Sequence, residues 1–137
     1  MNFLLDTTAF SDLMREHPKI DARLAVISPT DRVIICTMVR GEIRYGIARL
    51  PEGKRRRDLE AKALKLFSVL PCEPVPEEAG DHYASMKLSR QRQGLTLDEN
   101  DLWIAATALA LDAVLISRDT DFQHLEGLKV ENWIEEF

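Results

Sequence analysis

Short apolar runs alternate with helical patterns along this whole chain, and that alternation restricts its architecture more than any other feature. Asn2 to Leu5, Val33 to Cys36 and Ala113 to Ser117 are brief apolar segments, too short for stable helices. Longer stretches with helical periodicity separate them: Thr8 to Glu16, Ile20 to Ile27, Met38 to Leu50, Asp58 to Val69, Glu77 to Gln93 and Asp101 to Leu111. Val39, Ile43, Ile47 and Leu50 form one apolar stripe, and Leu59, Ala63, Leu66 and Phe67 another. Pro18, Pro29, Pro76 and Gly94 punctuate the helices. Leu70 to Cys72 reads as a short strand and Leu128 to Glu131 as an edge strand. Strands separated by helices pair in parallel through crossovers rather than through hairpins. The expected fold class is therefore α/β: an α/β/α sandwich around a parallel sheet of about four to five strands, forming one domain over residues 1–137.

Length and composition agree. A chain of 137 residues, 45% hydrophobic and 30% charged, has the makings of one globular domain. It is long enough to bury roughly two-thirds of its unfolded surface. Phe3-Leu4-Leu5 is too short for a secretory h-region, and Asp6 interrupts it. No run approaches the roughly 20 apolar residues of a membrane helix. Cys36 and Cys72 lack metal-binding or redox spacing and read as two buried, reduced thiols, so the expected compartment is the cytoplasm. The net charge of −5 hides a basic run, Lys54-Arg55-Arg56-Arg57, preceded by Arg40, Arg44 and Arg49 on neighbouring helical turns. Such a run is more often a solvated helix face than a phosphate track, but a nearby acidic metal site evens those odds. Arg40, Arg44, Lys54 and Arg55 are the candidates for contacting a nucleic-acid backbone.

Four acids, far apart in sequence, sit where strands end or helices begin. Asp6 closes the first strand, Glu42 lies about one turn into the third helix, Asp101 opens the last helix, and Asp119 follows Ala113-Val114-Leu115-Ile116. In an open parallel sheet the C-terminal strand edge is where ligands bind. Asp6, Asp98 and Asp119, taken singly, are each explained at least as well by helix capping. Glu42 resists that reading, because it stands beside Val39 and Ile43 at the margin of the buried stripe, where a carboxylate must be paired or bound. Carboxylates gathered at one edge repel one another unless a cation lies between them, and all-oxygen donors suit Mg²⁺ or Mn²⁺. Such a site suits phosphodiester hydrolysis. Asp121 competes with Asp119, since both lie an even number of residues from Ser117. Ser117 itself is placed to donate to a carboxylate, or is merely a small strand-end residue. His17, His82 and His124 lack metal-ligand spacing.

In this order, the motifs resemble those of PIN-domain ribonucleases. The stretches are Leu5-Asp6-Thr7-Thr8-Ala9-Phe10-Ser11-Asp12-Leu13-Met14-Arg15, Gly41-Glu42-Ile43-Arg44-Tyr45-Gly46-Ile47, Asn100-Asp101-Leu102-Trp103-Ile104-Ala105-Ala106, Ser117-Arg118-Asp119-Thr120-Asp121-Phe122 and Gly127-Leu128-Lys129-Val130-Glu131-Asn132-Trp133. The resemblance is strongest to VapC-type toxins, in the branch that includes FitB-like proteins. It implies a Mg²⁺- or Mn²⁺-dependent endoribonuclease with metal-binding and catalytic carboxylates at Asp6, Glu42, Asp101 and Asp119. It also implies an RNA substrate, a VapB-like antitoxin and a homodimer, and it favours Asp119 over Asp121. Thr7, Thr8, Asp98, Ser117 and Asp121 would be auxiliary. The chain departs from the family at Thr8, where Asn or Ser is usual, and at Asp98, where Gly is usual. Asp98 and the adjacent Glu99 are extra acids, for which capping the following helix is the simpler role.

Rival readings fare worse. A haloacid-dehalogenase-type phosphatase needs a second Asp where Thr8 stands. A receiver domain needs an N-terminal acid cluster and an Asp after a middle strand. No Gly-x-Ser-x-Gly elbow supports a serine hydrolase. A housekeeping RNA-processing nuclease and a silent dimeric binding module remain the alternatives within the fold.

Overall fold

The computed structural model describes residues 1–134; the last three residues of the acidic C-terminal stretch, 135–137, lie outside the described residues. Five strands, β1 (Asn2–Leu5), β2 (Arg32–Cys36), β3 (Cys72–Glu73), β4 (Ala113–Ile116) and β5 (Val130–Glu131), form one sheet in the order β3-β2-β1-β4-β5. Every pairing is parallel, with Leu4 beside Ile34 and Leu5 beside Ile116. The α/β expectation and the strand count are borne out. Chain order runs outward from β1 in one direction to β3, then crosses back to β4 and β5. The switch point therefore falls at the C-terminal ends of β1 and β4.

Six helices connect the strands: α1 (Thr7–Met14), α2 (Pro18–Ala25), α3 (Thr37–Ala48), α4 (Lys54–Val69), α5 (Glu77–Arg92) and α6 (Glu99–Ala110). α1 packs on α2, α3 and α4, while α5 packs chiefly on α6. Leu4, Leu5, Ile34, Ile35, Leu115 and Ile116 are fully buried between the layers. Burying each such side chain contributes about 1.5–3 kcal/mol, so the continuous apolar strands dominate the core. α6 is buried almost all round through Leu102, Ile104, Ala105, Ala106 and Ala108, as its composition predicts.

Several boundaries move for identifiable reasons. Pro18 starts α2 rather than merely ending α1, because proline's fixed φ and missing N–H suit the first helical position. α4 begins at Lys54, so the whole basic run lies in its first turn instead of in the loop before it. α6 begins at Glu99, with Asp98 as its cap, which places Asp101 inside the first turn. β3 starts two residues later than expected, at Cys72. One further expectation is corrected. Cys72 is exposed, because β3 is an edge strand; only Cys36 is buried. Phe10, Leu13, Met14 and Ile20 of α1 and α2 are buried inside the chain, while Val26, just after α2, is exposed. No helix among the described residues is long and apolar enough to cross a membrane.

Candidate active site

The candidate site is assembled at the switch point. Asp6 directly follows β1; its backbone N–H donates to the Ile116 carbonyl (3.1 Å), continuing the β1–β4 ladder one step beyond the strand. Asp6 also caps α1, its Oδ1 accepting from the Ala9 N–H at 2.7 Å. The cap reading thus holds for this residue, and capping the helix with Oδ1 fixes its carboxylate at the end of β1. Asp6 is only 4% exposed. Burial raises its pKa above the ordinary carboxylate value, against hydrogen bonds from Ser117 and the Ala9 N–H and with help from the charges of Asp119 and Asp12.

Ser117, buried at the end of β4, ties two of the acids together. It hydrogen-bonds the Asp6 carboxylate, and its Oγ accepts from the Asp119 backbone N–H at 3.0 Å. Asp119 then caps a 3-10 turn, Thr120–Phe122, through the Asp121 N–H at 2.9 Å. Asp121 points its main chain into this turn and is itself exposed, as expected of an auxiliary acid.

Glu42 enters from α3. Its Oε1 accepts from Thr7 Oγ1 at 2.7 Å, a contact that crosses thirty-five residues of sequence. Asp101 completes the cluster from α6. Its pKa is pushed up to about 7, first by burial and then by the charges of Asp98, Glu42, Asp119 and Asp6. Those causes place all four predicted carboxylates in one electrostatic neighbourhood. Asp98 caps α6 through the Asn100 N–H at 2.9 Å, the simpler role expected for it, while its charge still bears on Asp101. Glu99 turns away instead, accepting from Tyr83 Oη and from Lys87 Nζ. Thr8 lies half-buried in the first turn of α1.

As the side chains stand, no three His, Cys, Asp or Glu among the described residues form a group that could hold a metal ion. The donor chemistry nevertheless fits a hard divalent cation: four carboxylates, no soft donor, and an Asp101 pKa raised by burial and by neighbouring negative charge.

The basic candidates separate. Lys54 and Arg55 are exposed in the first turn of α4, and Arg55 reaches a groove shared with Thr7 and Glu42. The Arg40 guanidinium instead covers the Phe67 ring, 4.3 Å from its centroid. Arg44 is exposed, but two residues from Glu42 it projects from nearly the opposite side of α3. One charged residue near the site went unremarked in the sequence. Asp12 is buried and holds Arg15 at 2.6 Å and Arg118 at 3.2 Å. Its signal was the one used for Glu42, an acid lying beside Ala9 and Leu13 on a buried helical stripe.

Residues 3–128 match the family model described as the PIN domain, and the chain belongs to that family. Within it, the chain is similar to Ribonuclease VapC1 of Haemophilus influenzae strain R2866, at 31% identity over 136 residues covering 97% of this chain and 98% of the relative. It resembles the solved structure of VapBC-1 from nontypeable H. influenzae with a TM-score of 0.86 at 26% identity, covering 98% of this chain and all of that one. FitAcB from Neisseria gonorrhoeae gives a TM-score of 0.78 at 27% identity, covering 95% and 96%. The VapC-type resemblance read from the motifs, with its FitB-like branch, is borne out.

Proposed function

We propose that this protein is an endoribonuclease dependent on Mg²⁺ or Mn²⁺, and the toxin of a toxin–antitoxin pair. The observation that carries the catalytic part is the convergence of Asp6, Glu42, Asp101 and Asp119 at the switch point, where Asp101 is pushed to about 7. A carboxylate that resists ionisation because it is buried and crowded by other carboxylates marks a site poised for a cation.

Such an ion, when bound, supplies a polarised water and offsets charge on the phosphate under attack. The chain's own residues do the positioning. The Ala9 N–H and Ser117 hold Asp6, Thr7 holds Glu42, and the Asp121 N–H holds Asp119. Exposed Arg55 lines the groove that reaches Thr7 and Glu42, and with the exposed Lys54 beside it in the first turn of α4 can contact the RNA backbone.

VapBC-1 and FitAcB, which this chain resembles, are named as two-component assemblies. An antitoxin fits here on physical grounds. A groove of about 400 Å³ runs from Thr7 and Glu42 past Met14, Ile43, Ile47 and Leu59, offering an apolar face to an amphipathic segment. An Arg or Lys from that segment, placed among the four acids, would be held strongly and would block the site.

The test is inducible expression of the wild type beside Asp6→Asn, with and without the small neighbouring gene, followed by RNA end-mapping. The expected result is growth arrest and new RNA ends with the wild type only, both relieved by the neighbour. Undiminished cleavage of purified RNA in EDTA would overturn the metal dependence. Harmless expression of an enzyme active in vitro would favour a housekeeping nuclease.

A further inference from the structure

One exposed aromatic residue is unexplained by the fold. Tyr45 is 68% exposed although it lies on α3 only three residues beyond Glu42. Residues three and four apart share a helix face, so Glu42, Tyr45, Gly46 and Arg49 form a continuous row leading away from the acids. The row lines a groove of about 530 Å³ that also takes in Thr7 and Asn100 and so opens directly onto the acidic site. The Arg49 guanidinium lies 5.9 Å from the Tyr45 ring centroid, which sets a positive charge beside the exposed ring.

The glycines give the second observation. Gly41 and Gly46 flank Tyr45 in the interior of α3, where glycine is a poor helix former. Neither is required by close packing, since a Cβ at either position would meet nothing within 4 Å. Both line the groove. Their missing side chains leave its floor open around the ring.

Resting on the ribonuclease reading, we propose that Tyr45 is a stacking platform for an unpaired nucleobase next to the phosphate under attack at the acidic site. Every base presents a π-face, so an exposed ring beside a cation suits single-stranded RNA. Asn100 and Thr7, at the groove's acidic end, supply polar groups within the same cavity. The groove reaches the acidic site at Glu42 and carries Arg49 to meet phosphate. Tyr45 is thus a substrate-positioning residue rather than part of the acid cluster.

The test uses a short, fluorescein-labelled single-stranded RNA with the full chain carrying Asp6→Asn, read by anisotropy. Adding Tyr45→Ala should weaken binding about ten-fold or more, and adding Tyr45→Phe should restore it, because the phenyl ring still stacks. In the active chain, Tyr45→Ala should raise KM far more than it lowers kcat. Gly46→Ala gives an independent check. It should raise Tm, as alanine favours the helix, while still weakening RNA binding. Equal RNA affinity for the Ala, Phe and Tyr versions would overturn the platform and leave the ribonuclease reading intact. Unchanged RNA binding with lost antitoxin association would assign the groove to the protein partner instead. No RNA binding or cleavage by any version would remove both readings.

Discussion

Thr7 Oγ1 and Glu42 Oε1 stand 2.7 Å apart, and this one contact joins the residue after Asp6 to the acid on α3. It fixes the distance between the first and second carboxylates of the site. The bond also relieves part of the desolvation cost of Glu42. Groups that orient ligating carboxylates typically matter 10- to 100-fold in metal affinity or activity. Thr7→Val should therefore lower kcat/KM by about 10-fold or more while leaving the fold intact, and Thr7→Ser should recover most of it. Titration calorimetry with Mn²⁺ on both variants checks the same point without RNA. Full activity in Thr7→Val would mean that Glu42 needs no support.

The raised acids make a stability prediction. Asp101 titrates at about 7 in the folded chain against an ordinary 3.8, so the folded state binds more protons than the unfolded state between those values. By linkage, stability falls as pH rises through that window and the loss is complete above about 7. Asp6, also raised, acts in the same direction. Without divalent ions, Tm should drop between pH 4 and pH 7, and Asp101→Asn should flatten the drop. Because Asp101 is only half-buried, solvent screens much of the effect, and a gain of about 1 kcal/mol at pH 7 is expected. Mg²⁺ should restore Tm above pH 7 in the wild type and not in Asp101→Asn. A Tm that rises from pH 4 to 7 in the absence of metal would contradict the assignment.

Asp119 and Asp121 separate cleanly by environment. Asp119 shares Ser117 with Asp6 and raises the pKa of both Asp6 and Asp101, whereas Asp121 contributes its backbone N–H and leaves its side chain in solvent. Asp119→Asn should lower RNA cleavage by at least two orders of magnitude. Asp121→Asn should stay within a factor of about three, a small surface effect. The reverse ranking in a single-turnover assay would exchange their roles.

Much of this was readable from residue order, and the exceptions have physical causes. Apolar runs such as Ile34-Ile35-Cys36 and Val114-Leu115-Ile116 named the buried parallel strands, and their connecting helices implied one sheet edge for the acids. Sequence spacing could not supply the pairing of β1 with β4, which depends on a crossover of the whole α5–α6 unit. That pairing is what brings Ser117 to Asp6. Helix starts differ where side-chain caps decide them: α6 begins at Glu99, rather than at Asp101, because the Asp98 carboxylate caps it through the Asn100 N–H. The basic run falls inside α4 although four cations in a first turn oppose the helix dipole, because packing through Leu59, Ala63 and Leu66 and the bonds of Arg56 to the Leu50 carbonyl and Glu60 hold it there.

Asp12 supplies the last expectation. Its side chain is 5% exposed and is held by Arg15 at 2.6 Å and Arg118 at 3.2 Å, both from partly exposed arginines. Arg118 lies between Ser117 and Asp119, so this pair braces the β4 end of the site from outside the acid cluster. Asp12→Ala leaves no buried charge behind, because both guanidiniums can turn to water, and should cost about 1–3 kcal/mol from lost charge-assisted bonds. Arg15→Ala should cost less than about 1 kcal/mol, as a mostly exposed i,i+3 pair. Arg118→Ala should fall between them, with a double-mutant cycle against Asp12→Ala giving a coupling of roughly 0.5 kcal/mol or more. Removing the Asp12 charge should also ease the ionisation of Asp6, whose pKa it helps to raise, so the Mn²⁺ affinity of Asp12→Asn should increase at pH 6 if the fold is kept. Urea melts and Mn²⁺ titration measure the two effects separately, and zero coupling between Asp12 and Arg118 would reduce their contact to surface chance.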